Sequence, residues 1–411
     1  MTTGRPDRKA IFSWGLYDFA NTIFSMNVVS RYFPLWVTED HKAPDMYYSI
    51  ALSISMLAVA VSVPALGAMS DQTRRRARPL ALMTLGCVLA TASIGLADSL
   101  FTGLALFIAA NYCYQASLVF YDGLLPTVAK GTSVSKVAGY GVSLGYVGAI
   151  AGLLALLPVV NAYGRQSAFV PTALLFLLFA LPCFIWVKDA DVVLGAKIDI
   201  RKAFGRIIAT FRETKKHRDL FIFLLANFFI LDGVNTVIAF MSVYAFKVMG
   251  LAGGRLTFFL VTSTVGAAAG SLFWGWASHG RGPLAALKWV CGLWVFTLAL
   301  AALSQNQTVF WAVGPLAGLA IGGVWVCGRA LVVELAPKDR IGECFGLFNL
   351  AGKAASITGP IVWGGVVAVF APLGGTIQYR LAVFSLAAFI GLALWLLGKV
   401  RRPAEELEAI R

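Results

Sequence analysis

Twelve long apolar runs dominate this sequence and restrict how the chain can fold. Each run approaches or exceeds the roughly 20 mostly apolar residues that an α-helix needs to cross a bilayer. Bilayers accept only helices or closed barrels, and these runs lack the short alternating pattern of barrel strands. We therefore predict an all-α membrane protein. The predicted spans are 11–37, 47–69, 79–97, 101–124, 137–160, 168–187, 220–246, 255–276, 284–303, 308–333, 344–370 and 380–398.

The basic residues indicate how these spans are oriented. If the amino terminus is cytoplasmic, 25 of the 34 Lys and Arg lie in inner segments, and 5 lie in outer segments or at the outer end residue of a span. This asymmetry is the positive-inside rule. The net charge of +14 therefore indicates topology and contact with anionic membrane lipids, not nucleic-acid binding. We predict that both termini are cytoplasmic. The short loops and the lack of a targeting peptide favour a prokaryotic plasma membrane, that is, the inner membrane.

One connection is longer than the others and divides the chain. Residues 188–219 carry nine basic residues, and apolar residues recur at helical spacing from Ile200 to Phe211. This pattern predicts a basic amphipathic helix on the inner membrane surface, the alternative being a solvated linker. The predicted domains are a six-helix bundle at 1–187, the linker at 188–219 and a second six-helix bundle at 220–411.

The two halves resemble each other in sequence. The first span contains DFANT, beginning at Asp18, and the seventh contains DGVNT, beginning at Asp232, an offset of 214 residues. GAMSDQTRRRARPLAL, after span two, matches GWASHGRGPLAAL, after span eight, and an acid precedes a proline at the end of spans four and ten. Parallel six-helix repeats of this kind are typical of a large class of transporters.

Several motifs resemble a known family. The segment Gly67-x-x-x-Asp71-x-x-Arg74-Arg75-Arg76 resembles the loop signature of the major facilitator superfamily, which usually has glycine at the position of Arg74. YDFANT at 17–22 and FGLFNLAGKAASITGP at 345–360 resemble its vacuole-effluxer-like branch, whose eukaryotic members export amino acids. The resemblance implies the major facilitator fold, with two pseudo-symmetric bundles around one cavity. It also implies that Asp71 and Arg75 belong to an inner gate.

The repeated acids are the first candidates for function. Asp18, Asn21 and Thr22 share one helical face, as do Asp232 and Asn235 with Thr236. Ionisable groups inside a membrane are costly and are by default functional candidates. We predict that Asp18 and Asp232 bind a proton or cation and that Asn21 and Asn235 contact substrate. The alternative is static hydrogen bonding between helices. Asp232 lies deeper in its span, whereas Asp18 suits an inner gate as well.

Span four supplies a second polar face. Asn111 and Gln115 lie deep in this span and suit substrate hydrogen bonds, with interhelical bonding as an equal alternative. Asp122 lies near the inner end, where an acid of this superfamily can pair with the basic loop after span two. We predict a gate role for Asp122 and for Glu334, which closes span ten.

Spans ten and eleven supply buried cations. Lys353 shares a helical face with Asn349. We predict that it binds an anionic group of the substrate, the alternative being a structural ion pair with an acid. Arg329 in span ten either clamps a carboxylate or pairs with an acid as part of the gate. Arg31, near the outer end of span one, is expected to snorkel to the membrane surface.

Glycine rows predict close helix packing. Gly141, Gly145, Gly148 and Gly152 recur in span five, and Gly266 and Gly270 in span eight. Small residues at this spacing let backbones approach closely. In the resembling fold these two helices pack across the interface between the halves.

The sequence offers no metal cluster, nucleotide loop or nucleophile motif. We therefore predict no cofactor, no metal and no enzyme activity. The predicted function is secondary transport of a small polar solute, an amino acid or a small organic anion, by alternating access and coupled to protons. The alternatives are efflux of larger amphipathic compounds and a non-transporting receptor or scaffold. We expect a monomer, since one chain already encloses a cavity.

Overall fold

The chain forms two compact units, Met1–Phe204 and Gly205–Arg411, in a computed structural model. The structure describes residues 7–130, 134–189, 205, 217–336 and 341–401. The boundary between the units lies inside the predicted linker. The predicted amphipathic helix of that linker lies outside the described residues.

Long helices make up nearly all of the described chain. In the first unit they are α1 (Arg8–Phe24), α2 (Asp45–Thr73), α3 (Ala77–Ile94), α4 (Leu100–Val128), α5 (Val134–Tyr163) and α6 (Phe169–Trp186). In the second they are α7 (Arg218–Met249), α8 (Gly253–Arg281), α9 (Pro283–Leu303), α10 (Val313–Leu335), α11 (Ile341–Phe370) and α12 (Ile377–Gly398). The described residues contain no strand, so the all-α fold class is confirmed.

Local chemistry explains where several helices begin and end. The Asp7 carboxylate accepts the backbone N–H groups of Lys9 and Ala10 at 3.0 and 3.2 Å, which caps the start of α1. α7 ends at Met249 and is followed by Gly250, whose φ of +65° suits glycine. Gly282 (φ +83°) turns the chain after α8, and Pro283 opens α9, where its missing N–H costs nothing.

Eleven described helical segments are long and apolar enough to span a membrane. The predicted first span is helical but is not among them, because its α-helical part, α1, has only 17 residues. Beyond Phe24 the chain continues as a π-helix at Ser25–Tyr32, an α-turn at Phe33–Leu35 and a second π-helix at Trp36–Asp40. Pro34 lies between the two π segments and has no N–H for a regular ladder.

The two units share one pattern of helix neighbours. In the first, α1 packs on α5 and α6, α4 packs on α2 and α3, and α3 also packs on α6. In the second, α7 packs on α11 and α12, α10 packs on α8 and α9, and α9 also packs on α12. Adding six to each helix number converts the first set into the second. The structure thus repeats in the order that the sequence matches predicted.

Both glycine rows contact helices of their own unit. A Cβ at Gly145 in α5 would lie 2.9 Å from the Asp18 carboxylate in α1, and one at Gly152 would lie 2.6 Å from Asn27. A Cβ at Gly266 in α8 would lie 2.5 Å from the Pro315 carbonyl oxygen in α10. The predicted close approach is therefore present, and the rows serve packing inside each unit.

Candidate functional site

Asp232 is the most deeply buried acid among the described residues, with no exposed surface. It lies in the middle of α7, where apolar neighbours surround it in sequence. Its Oδ1 accepts the backbone N–H of Gly359 in α11 at 2.6 Å. Its Oδ2 is buried and has no hydrogen-bond partner within the described part of the chain. A buried polar atom without a partner requires an explanation, and a bound proton or ligand would supply one.

The other two polar residues of the α7 motif donate hydrogen bonds to α11 or to the backbone of Asp232. Asn235 donates from Nδ2 to the Ser356 hydroxyl at 2.7 Å. Thr236 donates to the Asp232 carbonyl at 2.7 Å and is fully buried. The predicted polar face of α7 is therefore present and lies against one neighbouring helix.

Gly359 permits this contact because it has no side chain. A Cβ there would lie 2.7 Å from Asp232 Oδ1, and it would overlap the Thr236 hydroxyl. Pro360 follows directly and cannot donate a backbone hydrogen bond, so α11 loses one ladder bond at this point. The acid thus binds α11 at its interrupted turn.

The first unit contains an equivalent arrangement. Asp18 in α1 lies against Gly145 in α5, and Thr22 Oγ1 would lie 3.0 Å from a Cβ at that glycine. Gly145 and Gly359 are 214 residues apart, as are Asp18 and Asp232. The structure therefore extends the sequence repeat from three polar residues to the glycine that faces them.

The two arrangements differ in the direction of the asparagine. Asn21 turns back and donates from Nδ2 to Asp18 Oδ1 at 3.0 Å, whereas Asn235 reaches the next helix. Asp18 is only half-buried, while Asp232 is fully buried. The acid of the second unit is thus the more strongly desolvated of the pair.

The deep residues of α4 have distinct surroundings. Asn111 is fully buried and donates from Nδ2 to the Ser55 hydroxyl of α2 at 2.7 Å. This bond is of the interhelical kind that the sequence left open as an alternative to substrate binding. Gln115, one turn later, is half-buried.

The candidate residues of α10 and α11 are more exposed than Asp232. Arg329 in α10 and Asn349 in α11 are exposed, and Lys353 is half-buried. Lys353 lies one helical turn before Ser356, the partner of Asn235, on the same helix. Glu334, at the end of α10, is exposed as well.

Arg76 was not among the predicted gate residues but lies beside Asp122, which was. Its Nε donates to Ser70 Oγ at 3.0 Å and would lie 3.0 Å from a Cβ at Gly123, next to the exposed Asp122. Arg75, which the resemblance assigned to the gate, is exposed, and its backbone N–H donates to Thr73. Asp71 lies in the last turn of α2.

The backbone conformation of Arg74 accounts for the glycine that the superfamily usually has at this position. Its φ of +53° places it in the left-handed region, where it ends α2. Glycine adopts this conformation without steric cost.

Asp189, just beyond α6, is a structural residue that the sequence analysis missed. Its Oδ1 accepts the backbone N–H groups of Arg76 and Ala77 at 2.8 and 2.9 Å. These are donors at the start of α3, so Asp189 caps that helix from a distant part of the chain. A partner more than 100 positions away leaves no local capping signal.

Arg31 does not snorkel as predicted. Its side chain is only 2% exposed, and its guanidinium lies 4.9 Å from the centre of the Tyr32 ring. The π-helix that begins at Ser25 is the reason. Each π turn holds more residues than an α turn. A projection at α-helical spacing therefore assigns residues to the wrong face of the helix beyond this point.

Asn227 in α7 is a second missed residue. It is 1% exposed, and neither Nδ2 nor Oδ1 has a partner in the portion of the chain that is described. Its Oδ1 would lie 3.7 Å from a Cβ at Gly328 in α10. The signal in the sequence was an amide side chain within an apolar run. As for Asp232, such a residue indicates either a hydrogen bond between helices or a binding site.

The chain resembles a known protein family over most of its length. A family model described as "Vacuole effluxer Atg22 like" matches residues 41–408. The chain belongs to this family. It is a membrane transporter of the major facilitator type, and the resemblance noted in its motifs is confirmed.

Relatives of this Atg22-like chain occur in bacteria and fungi. An uncharacterized MFS-type transporter, YxiO of Bacillus subtilis, is 28% identical over 94% of both chains. The proton-coupled antiporter flippase LtaA of Staphylococcus saprophyticus is 24% identical over 84% of both. Autophagy-related protein 22-1 of Aspergillus niger is 24% identical over 65% of this chain and 48% of its own length.

Solved structures share the fold of the Atg22-like chain. A mutant of the nucleoside transporter NupG superposes with a TM-score of 0.81 at 13% identity, covering 96% of this chain and all of NupG. A bacterial homologue of the lysosomal transporter Spinster, inward-facing and unoccupied, gives a TM-score of 0.75 at 13% identity. It covers 96% of this chain and 97% of the homologue. These similarities confirm the major facilitator fold.

Proposed function

We propose that this protein is a secondary transporter that couples movement of a small polar solute to protons. The solute is an amino acid or a small organic anion. The observation that carries the proposal is Asp232, a fully buried acid with one oxygen on the Gly359 N–H and one without a partner in the described chain.

Protonation of Asp232 is the proposed coupling event. A charged carboxylate within a spanning helix costs about 2.5–3.5 kcal/mol on insertion scales. A proton on Oδ2 removes that charge and leaves Oδ1 bonded to α11. A proton drives a conformational change only if the inward and outward states bind it with different affinity. The contact between α7 and α11 is the element that we propose differs between those states.

Alternating access is the proposed transport mechanism. The two six-helix bundles, 1–187 and 220–411, move as bodies connected by 188–219. Asp71, Arg75, Asp122 and Glu334 act in the inner gate, and Asp18 is a second proton site. We place both termini in the cytoplasm of a prokaryotic cell and propose a monomer.

The solute is inferred from the mixture of charges. Lys353 and Arg329 supply positive charge for a carboxylate, and Asn349, Asn21, Asn235, Gln115 and Asn111 are the candidate hydrogen-bonding residues. Together with two aspartates, this set suits a zwitterion better than an uncharged sugar. The family description, a vacuole effluxer, is compatible with such a solute.

The test is uptake into proteoliposomes with a radiolabelled amino-acid and organic-anion panel, with and without a pH gradient. We expect at least one solute to accumulate only when the gradient is present. If no panel member moves and none binds, the protein is not a transporter of this class.

Asp232→Asn tests the coupling residue. We expect this variant to lose accumulation driven by the gradient but to keep solute exchange at equal pH, because exchange needs no net proton movement. Asp219→Asn is the matched control, because it makes the same change at the first turn of the same helix. If Asp232→Asn accumulates solute like the wild type, Asp232 is not the proton site.

A larger amphipathic solute is the second candidate. The relative LtaA is named a proton-coupled flippase, and its similarity covers 84% of both chains. The same proteoliposomes, loaded with a fluorescent lipid-like compound in place of the amino acid, distinguish this candidate.

A further inference from the structure

An aromatic groove lies between the end of α8 and the start of α9. Its volume is about 480 Å³, within the roughly 300–1,000 Å³ of small-molecule sites. Phe273 and Trp276 line it from α8, and Trp289 lines it from α9. Gly282 and Pro283 form the turn between the two helices, so the groove lies at an end of the spanning bundle, where membrane meets water.

The groove walls are strongly exposed. Trp276 is 77% exposed, Trp289 is 65% exposed and Phe273 is 48% exposed. Tryptophans at the ends of spanning helices favour the head-group region of the bilayer, since their rings are apolar and their N–H groups are polar. Here two such tryptophans line one concave site.

The rim of the groove is basic. His279 and Arg281 line it, and Lys288 precedes Trp289 in α9. Residues 270–290 contain no acid. The groove therefore combines an apolar floor with a positive rim, which complements a molecule with acyl chains and an anionic head.

The equivalent segment of the first unit is also basic, but it differs at two positions. In the sequence match between GAMSD and GWASH, Ala68 stands where the second unit has Trp276. Asp71 stands where the second unit has His279. The second unit therefore has an aromatic wall here and has no acid that would repel an anion.

We propose that this groove binds an anionic phospholipid of the membrane. The phosphate group lies at Arg281 and His279, and the acyl chains lie along Trp276, Trp289 and Phe273. Such a lipid would hold the α8–α9 turn at the head-group level. This proposal does not depend on the transported solute or on proton coupling.

Native mass spectrometry of the full chain in detergent tests the proposal. Phosphatidylglycerol and phosphatidylcholine with identical acyl chains are titrated separately, and the affinity for the first bound lipid is measured. We expect phosphatidylglycerol to bind at least about five-fold more tightly, the effect of one basic group near an anionic surface. Equal binding of the two lipids overturns the proposal, because the groove then holds lipid without selecting charge.

Two variants assign the binding to the groove. Arg281→Gln is expected to weaken phosphatidylglycerol about five-fold and to leave phosphatidylcholine unchanged. Trp276→Ala is expected to weaken both lipids. If both variants bind like the wild type, the selective site lies elsewhere and the proposal fails.

The matched control is a second tryptophan and cation pair at the end of α12. Lys399 Nζ lies 3.3 Å from the centre of the Trp395 ring, and both residues are exposed. Lys399→Gln removes a similar charge from a similar place, and we expect it to leave both affinities unchanged. An equal loss in Lys399→Gln and Arg281→Gln would show a general charge effect and reject the groove as the site. Melting temperatures in lipid-free detergent confirm that each variant is folded.

Discussion

The Oδ1 atom of Asp232 in α7 lies 2.6 Å from the backbone nitrogen of Gly359 in α11. This contact joins a buried acid to the turn that Pro360 interrupts. It requires glycine at 359, because any side chain there meets Thr236 and Asp232. The acid and the glycine therefore form one structural unit.

Gly359→Ala should destabilise the protein. The added methyl group overlaps the Thr236 hydroxyl, and overpacking of this kind costs about 1–3 kcal/mol. We expect a lower melting temperature in detergent. Thr236→Ala in the same background removes the nearest atom and should recover part of the loss.

Gly391→Ala in α12 is the matched control for that change. A Cβ at Gly391 meets no atom within 4 Å. Alanine in a helix interior is favoured over glycine by roughly 0.5–1 kcal/mol, so this variant should melt at or above the wild-type temperature. Equal melting temperatures of the two variants would mean that a side chain at position 359 does not destabilise the protein.

The sequence predicted the polar faces of α1 and α7, since acid, amide and hydroxyl recur at helical spacing. It contained the facing glycines too, because Gly145 and Gly359 share the 214-residue offset of the acids. The different directions of Asn21 and Asn235 depend on the neighbouring helix. Ser356 offers Asn235 a hydroxyl, while the residue at the equivalent position of α5 is Val142, which cannot accept a hydrogen bond.

Other features of the structure were beyond what helical spacing can predict. The burial of Arg31 follows from π-helical turns after Phe24, and a projection at 100° per residue assumes that such turns are absent. The cap from Asp189 to the start of α3 joins residues far apart in the chain. Both depend on tertiary contacts that a single helix does not encode.

Asn111 and Ser55 should be coupled in stability. Their hydrogen bond joins α4 to α2 at 2.7 Å inside the first unit. Interhelical hydrogen bonds in membrane proteins average about 0.6 kcal/mol in double-mutant cycles. Asn111→Ala, Ser55→Ala and the double variant, unfolded at equilibrium in mixed micelles, should give a coupling energy near this value.

Transport kinetics of the same variants separate packing from substrate binding. If the bond is structural, the KM for the transported solute stays unchanged in both single variants. A KM that rises in Asn111→Ala but not in Ser55→Ala would assign Asn111 to the solute instead.

Asp189 should stabilise the start of α3. It accepts two backbone N–H groups, and loss of a capping side chain costs about 0.5–2 kcal/mol. Asp189→Ala should increase hydrogen exchange at the amides of Arg76 and Ala77. Asp189→Asn retains an acceptor oxygen and should keep most of the protection. Unchanged exchange in the alanine variant would contradict the capping role.

Gly318 in α10 should tolerate no side chain at all. A Cβ there would overlap the Ser263 carbonyl oxygen of α8, and it would lie 2.8 Å from the Ala267 nitrogen. Both are backbone atoms, so the two helices must separate along their contact. Gly318→Ala should therefore lower the melting temperature more than Gly359→Ala, where the nearest atom belongs to a side chain. Gly292→Ala in α9 meets no atom within 4 Å and serves as the control. If Gly318→Ala melts like Gly292→Ala, the close packing of α8 on α10 is not a source of stability.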